Sequence, residues 1–545
     1  MLRQLASLTL AISLAAPSAF PPQQMLDRIT SAGIHAHMEF LADDLLEGRG
    51  TGTRGYQLAA NYVRAQFEQL GLEPAGDNGT YFQNVKLRQV QTVGARDGIT
   101  VTRDGHKSSL AFEKDFLMFG DAARAYTEIS GAAVFAGYGI TAPDQHYDDF
   151  AGLDAKEKII VVFSGGPPTF PSSERAYYSD TVNKLRNAAA HGAVGIIEMW
   201  SGPQTKNTPF AAIVSYSHQP IMYWLDKDGT PNDYVPEIRG QALITEEAGR
   251  QLFTGAAHSF ADAYASVSGG RPMSFALPEE IQIREAAKYT ALESPNIAAT
   301  LPGSDPELKD QYVLITAHVD HVGIGDAVNG DAIYNGAVDN ASGVAALIEI
   351  ARAFAGASAS ERPKRSVMFL AVTGEEAGLL GSDYFAHFPT VPIQQIAANV
   401  NMDGVSLFYE FKDIVALGAE HSRISEPVAD VARHFDLEVS PDPMPEEGYF
   451  IRSDQYSFVK QGVPAVNISE GFKTVDPSLD GRKMAEDYIR NRYHTPQDDM
   501  SQPLNFKAAR LDTQVNFAVA YEIANLPTRP TWNKGDIFGT RFAKK

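Results

Sequence analysis

The chain contains no cysteine, so disulfides and thiolate metal sites are excluded, and any metal must be held by imidazole and carboxylate. Cationic residues are outnumbered, 46 Lys and Arg against 67 Asp and Glu, for a net charge of -21. Such a balance repels phosphate backbones and anionic lipid, which argues against nucleic acid and membrane surfaces as partners. No run of about 20 apolar residues follows the first turns of the chain, so no spanning helix is expected. Internal repeats, heptad arrays and low-complexity tracts are also missing, and the sequence reads as ordinary packed domains.

What is present is enough chain for two to four domains, with 44% hydrophobic residues across 545 positions to build their cores. Residues 1–19 read as a secretory signal: Arg3 is a short positive start, Leu5 to Ala16 an apolar run, and Ala16, Ser18 and Ala19 a processing zone. The expected location is secreted or periplasmic. Residues 24–84 are mainly helical, with a turn-rich GRGTGTRG from Gly48 to Gly55 and a helix predicted from Gln57 to Leu70. Residues 85–283 carry short apolar runs broken by Gly, Pro and Asp, such as AAVFAGYGI and KIIVVFSGG, and are expected to form a separate, mostly β domain.

Residues 284–545 alternate strand and helix patterns: YVLITAH, VAALIEIARAFAG, SVMFLAVTG, IAANVNMDG, then DIVALGA, PAVNIS and a long helix from about Asn505 to Ile523. The expected fold class is α/β, a mostly parallel mixed sheet flanked by helices. In such sheets ligands collect at the carboxyl ends of the strands. His318 and Asp320 follow YVLITA, Glu375 and Glu376 follow SVMFLAVTG, and Asp403 follows IAANVNM. Asp339 lies in GAVDNASG, where Asp339, Asn340 and Ser342 can cap a helix beginning near Gly343. Singly, each has an ordinary reading as a hydrogen-bonded histidine, a helix cap or a solvated turn. Several carboxylates gathered at one sheet edge repel one another unless a cation neutralises them.

Five motifs in order, HVDH at His318 to His321, GAVDNASG at Gly336 to Gly343, TGEEAGLLGS at Thr373 to Ser382, NMDG at Asn401 to Gly404 and YHTPQDD at Tyr493 to Asp499, resemble the M28 family of dizinc aminopeptidases. The resemblance covers roughly the last 260 residues and the helical segment from about residue 24 to 75. It implies a zinc exopeptidase fold and two zinc ions, one on His318 and Asp403, the other on Glu376 and His494, with Asp339 between them. It further implies Glu375 as general base, Tyr493 as a donor to the tetrahedral oxyanion, Asp320 as the carboxylate that orients a ligand, and a cis peptide between Asp339 and Asn340. His321 is expected to support the site rather than ligate.

The segment 85–283 resembles, in AAVFAGYGI, DDFAGLDAKEKIIVVF and AAAHGAVGIIEM, the protease-associated domain inserted in larger members of that family, with an implied role in access or substrate binding. One departure is the 21-residue separation of His318 and Asp339, which holds HVGIGDAVNGDAIYN, read as a Gly- and Asp-rich loop. GRGTGTRG can cradle an anion or be a structural loop; it is read without a Lys-Ser pair or a following helix cap. The aromatics of YFIRSDQYSF, from Tyr449 to Phe458, line a specificity pocket or simply pack.

The implied function is a secreted zinc-dependent aminopeptidase acting on peptides. The same scaffold supports carboxypeptidases, for which Arg452 and Arg423 are the candidate carboxylate-binding groups, dipeptidases and single-zinc glutaminyl cyclases. From a different class, a binding protein on this fold is expected to have lost ligands, and here all are present.

Overall fold

A computed structural model describes residues 20–543; the signal-like segment 1–19 lies outside the described residues. Two helices open this part. The Thr30 hydroxyl accepts the Gly33 N–H at the start of α1 (Ser31–Leu41), and Thr53 accepts that of Tyr56 at the start of α2 (Arg54–Gln69). Side-chain caps of this kind contribute about 1 kcal/mol each. The reading of GRGTGTRG as a stretch with no cap after it is therefore corrected: its own second threonine is the cap, and α2 starts three residues earlier than its apolar spacing indicated.

β1 (Phe82–Thr92) leads into a run of parallel strands. β2 (Tyr126–Ala136) lies parallel to β3 (Ile159–Phe163), which lies parallel to β4 (Gly195–Trp200), itself parallel to β5 (Gln241–Thr245). The long β6 (Ser274–Leu301) joins this sheet to the next. Its first half runs antiparallel to β2, its second half antiparallel to β1, and its last residues antiparallel to a strand of the central sheet. Between β4 and β5, the strand Ile221–Trp224 pairs with β1, and the Trp224 indole donates to Asp383 at 2.9 Å. Lys460 reaches the other oxygen of Asp383 at 2.7 Å, so a buried carboxylate ties the two parts together.

In the central sheet, β7 (Tyr312–His318) lies parallel to β8 (Ser366–Val372) on one side and to β9 (Ile396–Asn401) on the other. Beyond β9, β10 (Asp413–Leu417) runs antiparallel to β11 (Ala465–Glu470), and β11 is parallel to β9. The expected α/β class with a largely parallel sheet is the one found. Side chains divide by the strand period of two. Val313, Ile315 and Ala317 pack with α1, α2, α3 (Gly343–Ala355) and α5 (Phe506–Asn525), whereas Leu314 packs with Met368, Leu370 and Phe385 of α4 (Leu380–His387) on the opposite face. Both faces are covered, and SVMFLAV is accordingly buried at every position rather than at alternate ones. Four parallel strands thus end at one edge, and their last residues or following loops carry His318, Glu375, Asp403 and Glu470.

The segment read as a Gly- and Asp-rich loop is a β-hairpin, Gly323–Val328 against Asp331–Tyr334. Asn329 and Gly330 form its turn, both with positive φ, which is the Asn-Gly signature of a two-residue hairpin. That signal was present in AVNGDAIY and was obscured by the apparent excess of turn formers. Among the described residues no helix is long and apolar enough to cross a membrane.

Candidate metal centre

Asp339 sits between two imidazoles. Its Oδ1 lies 3.3 Å from His318 Nε2 and its Oδ2 lies 3.2 Å from His494 Nε2. Asp403 Oδ1 is 3.1 Å from the same nitrogen of His318, and Glu376 Oε2 is 2.9 Å from that of His494. Residues separated by up to 176 positions therefore form two groups that share Asp339, with His321 standing beside Glu376 and His494 in one of them. The separations are close to the edge of a tetrahedron with bonds of about 2 Å, roughly 3.3 Å, which is the arrangement a zinc ion imposes on N and O donors. His494 Nε2 is buried and makes no aligned hydrogen bond despite its two carboxylate neighbours, as befits a lone pair aimed at a cation. The donor set fits a metal in each group.

Glu375 and Glu376 diverge as neighbours at a strand end do. Glu376 faces His494, whereas Glu375 Oε2 approaches His318 at 4.0 Å and lines a cavity with Asp339 and Asp403. The Tyr493 ring stacks on His494, centroids 3.8 Å apart, and borders the same cavity. The Asp339–Asn340 peptide is cis, the isomer implied by the family resemblance.

The supporting contacts explain how these groups are held. Asp320 is fully buried; its carboxylate accepts the N–H groups of Glu375 and Glu376 at 3.2 and 3.3 Å and the Thr51 hydroxyl at 3.0 Å. It is the Asp320 carbonyl that lies 3.1 Å from His318 Nδ1, so this residue positions a histidine through its backbone and two glutamates through its side chain. His321 Nδ1 lies 2.6 Å from Glu376 Oε1, the oxygen turned away from His494. With that nitrogen as donor, Glu376 keeps Oε2 for the shared group, and His321 Nε2, which has no partner, is a bare acceptor rather than an orphaned donor. Gly336 makes room for it: a Cβ there would stand 2.5 Å from the His321 ring and 2.1 Å from the Asp339 carbonyl.

Two residues were missed in the sequence, and a third was read only as a helix cap. Asp498 accepts the N–H groups of Val338 and Asp339, each at 3.0 Å, and the Tyr488 hydroxyl at 3.1 Å. Asn340, read as a helix cap, does accept the Gly343 N–H, but it also accepts that of Gly404 and donates to the Met402 carbonyl, linking the segments of Asp339 and Asp403. Asp339 itself is no cap. Arg49, in GRGTGTRG, is fully buried and donates to the carbonyls of Val319 at 2.8 Å and Gly336 at 2.9 Å, and to those of Leu41 and Asn335. The glycine-rich segment is thus a structural loop whose arginine clamps the backbone on both sides of the histidines. Only YHTPQDD held a sequence signal for one of them, and it did not distinguish Asp498 from Asp499.

Charge follows from this packing. Burial pushes Arg49 down to about 10 even though Asp339, Asp498, Asp320 and Glu376 stand near it and oppose the shift. Burial raises Glu375 well above the usual carboxylate range; His318 opposes this, and Asp403 and Glu376 reinforce it. Burial and the surrounding carboxylates also raise Tyr493, which keeps its phenolic proton.

A cavity of about 360 Å³ is lined by Asp339, Glu375 and Asp403, by Ser469 and Glu470 at the end of β11, and by walls that include Val405, Phe408, Leu417, Phe472 and Ile489. Of the aromatics in YFIRSDQYSF, Tyr449 lines it, while Phe450, Tyr456 and Phe458 are packed in cores.

Fold and site together define an α/β domain with donors for two metal centres at the carboxyl edge of its parallel strands. Residues 296–518 match the model of peptidase family M28. A probable zinc metalloprotease of Pyricularia oryzae is 36% identical over 143 residues, which is 26% of each chain. The probable leucine aminopeptidase 2 of Aspergillus oryzae is 27% identical over 256 residues, 43% of this chain and 47% of its own. The chain thus spans about a quarter of the length of the first of these relatives and about half of the second. The aminopeptidase from Aneurinibacillus sp. strain AM-1 shares the fold, with a TM-score of 0.52 at 17% identity over 92% of this chain and 95% of that one.

Proposed function

We propose that the protein is a two-zinc aminopeptidase that removes N-terminal residues from peptides. The observation that carries this reading is the placement of Asp339, one oxygen toward His318 and the other toward His494. His318, Asp403 and Asp339 would hold one ion, and Glu376, His494 and Asp339 the other. Bound there, the ions supply Lewis acidity toward the scissile carbonyl and acidify the attacking water. Glu375, buried beside the first group, takes the proton from that water and passes it to the leaving amine. The Tyr493 hydroxyl donates to the oxyanion that develops on the substrate. Asp320 fixes the backbone from which both glutamates project, so acceptor and ligand keep their separate directions.

The probable leucine aminopeptidase among the relatives supports the exopeptidase direction. A carboxypeptidase needs a free cation for the substrate carboxylate. Arg452 at the cavity stands 3.7 Å from Glu447, and Arg423 is paired with Glu426 at 2.9 Å on the surface, so neither is uncommitted. Residues 85–283 are read as a protease-associated domain that shapes access to the cavity, and residues 1–19 as an export signal that places the enzyme in the periplasm or outside the cell.

The test is hydrolysis of a leucine anilide and its N-acetylated counterpart by protein stripped with chelator and restored with zinc. Cleavage of the free-amine substrate alone, lost in Glu375→Gln while the zinc content stays, is the expected result. Cleavage of neither substrate by protein that binds two zinc ions would turn the reading toward a carboxypeptidase or a narrow dipeptidase.

A further inference from the structure

The cavity also carries a carboxylate that the proposed chemistry does not use. Glu470, the last residue of β11, lines the cavity at the same sheet edge as Asp403. The Ser406 hydroxyl donates to its Oε2 at 2.7 Å, and among the described residues no lysine, arginine or histidine forms an ion pair with it. Asp413, which is buried, stands close enough to add its negative field. Burial pushes the Glu470 carboxyl upward, the Ser406 hydrogen bond opposes this, and Asp413 adds to it. A cation arriving at Glu470 would relieve that cost.

The rest of the cavity fits such a cation on an apolar stem. Apart from the metal-facing groups, its charged side chains among the described residues are Asp442, Glu447 and Glu470 against Arg452, and Arg452 is already engaged by Glu447. Val405, Phe408, Leu417, Phe472 and Ile489 give the cavity aliphatic and aromatic walls. Lysine and arginine have this division, a chain of methylenes and a charged head. We infer that Glu470 makes this cavity the subsite for a basic N-terminal side chain, so that the enzyme selects peptides beginning with lysine or arginine over those beginning with an uncharged residue of the same length. The inference rests on the aminopeptidase reading for its substrate, while the pocket's preference can be measured without turnover.

Norleucine has the lysine stem without the ammonium. Binding of L-lysine hydroxamate and L-norleucine hydroxamate to the zinc-loaded protein, compared by calorimetry, cancels the shared chelating group and reads the contacts of the ammonium. The expected result is at least about tenfold tighter binding of the lysine compound, as one charge-assisted hydrogen bond provides, with the ratio falling to within about twofold in Glu470→Gln. Equal affinities in the wild type, or a ratio that survives Glu470→Gln in a folded, zinc-loaded variant, overturn the assignment. The wild-type comparison decides by itself should the variant fail to fold. Lysyl and norleucyl anilides separate the two readings: a lysine preference in binding with no anilide cleaved removes the aminopeptidase and leaves the pocket, whereas faster cleavage of the norleucyl anilide does the reverse.

Discussion

Asp498 accepts the backbone N–H of Asp339 at 3.0 Å, so a carboxylate outside the two donor groups fixes the residue that belongs to both. Asp498→Asn can turn an amide N–H toward the N–H groups of Val338 and Asp339, or keep one acceptor where two oxygens now serve several donors. Loss of a supporting contact of this kind typically lowers metal affinity by about 10–100-fold. Competition with a chelator should show zinc affinity falling in that range while circular dichroism stays native. Unchanged affinity would remove Asp498 from the account.

Sharing of Asp339 has a stoichiometric consequence. Asp339→Ala should abolish both sites, whereas His494→Ala, which touches only one donor group, should leave about one zinc per chain on the three donors of the other group. Metal analysis after dialysis against zinc and then buffer distinguishes the cases. Retention of two ions by Asp339→Ala would mean that the shared carboxylate is not a ligand.

Arg49 donates at once to the carbonyls of Leu41, Val319, Asn335 and Gly336. Arg49→Met leaves these buried acceptors without it and should destabilise the fold by at least about 3 kcal/mol. Arg49→Lys should recover only part of this, because one ammonium cannot span the positions reached by a planar fork. Thermal unfolding of the three proteins checks the order. A lysine variant as stable as the wild type would contradict it.

Glu285 on β6 is buried, accepts the Gly120 N–H at 2.8 Å, and burial raises it from 4.5 to about 8. Between those pH values the folded chain holds a proton that the unfolded chain has released. Stability from this group is therefore fully present below about pH 4.5 and lost as pH rises through 8. Glu285→Gln should lose less thermal stability than the wild type between pH 5 and pH 8. Equal losses in melts at the two pH values would exclude the buried proton as the cause.

Much of the fold was legible because the central strands are buried on both faces and leave unbroken apolar runs, and because acids and histidines stand just beyond them. SVMFLAV followed by Glu375 and Glu376 is the clearest case. Where the reading failed, the local composition was ambiguous. The glycines and aspartates of HVGIGDAVNGDAIYN hid a hairpin whose turn is Asn329–Gly330, and the glycines of GRGTGTRG hid the Thr53 cap.

The sequence by itself determined the kinds of donors available, by the lack of cysteine, and the strand ends from which they project. Tertiary structure alone decided which group faces which. Asp498 lies 159 residues from Asp339, Arg49 lies 270 from Val319, and Glu470 meets Ser406 across 64. No local pattern of periodicity or spacing encodes such pairings, because they arise only when parallel strands bring their loops to one edge and burial leaves each polar group only the partners packed against it.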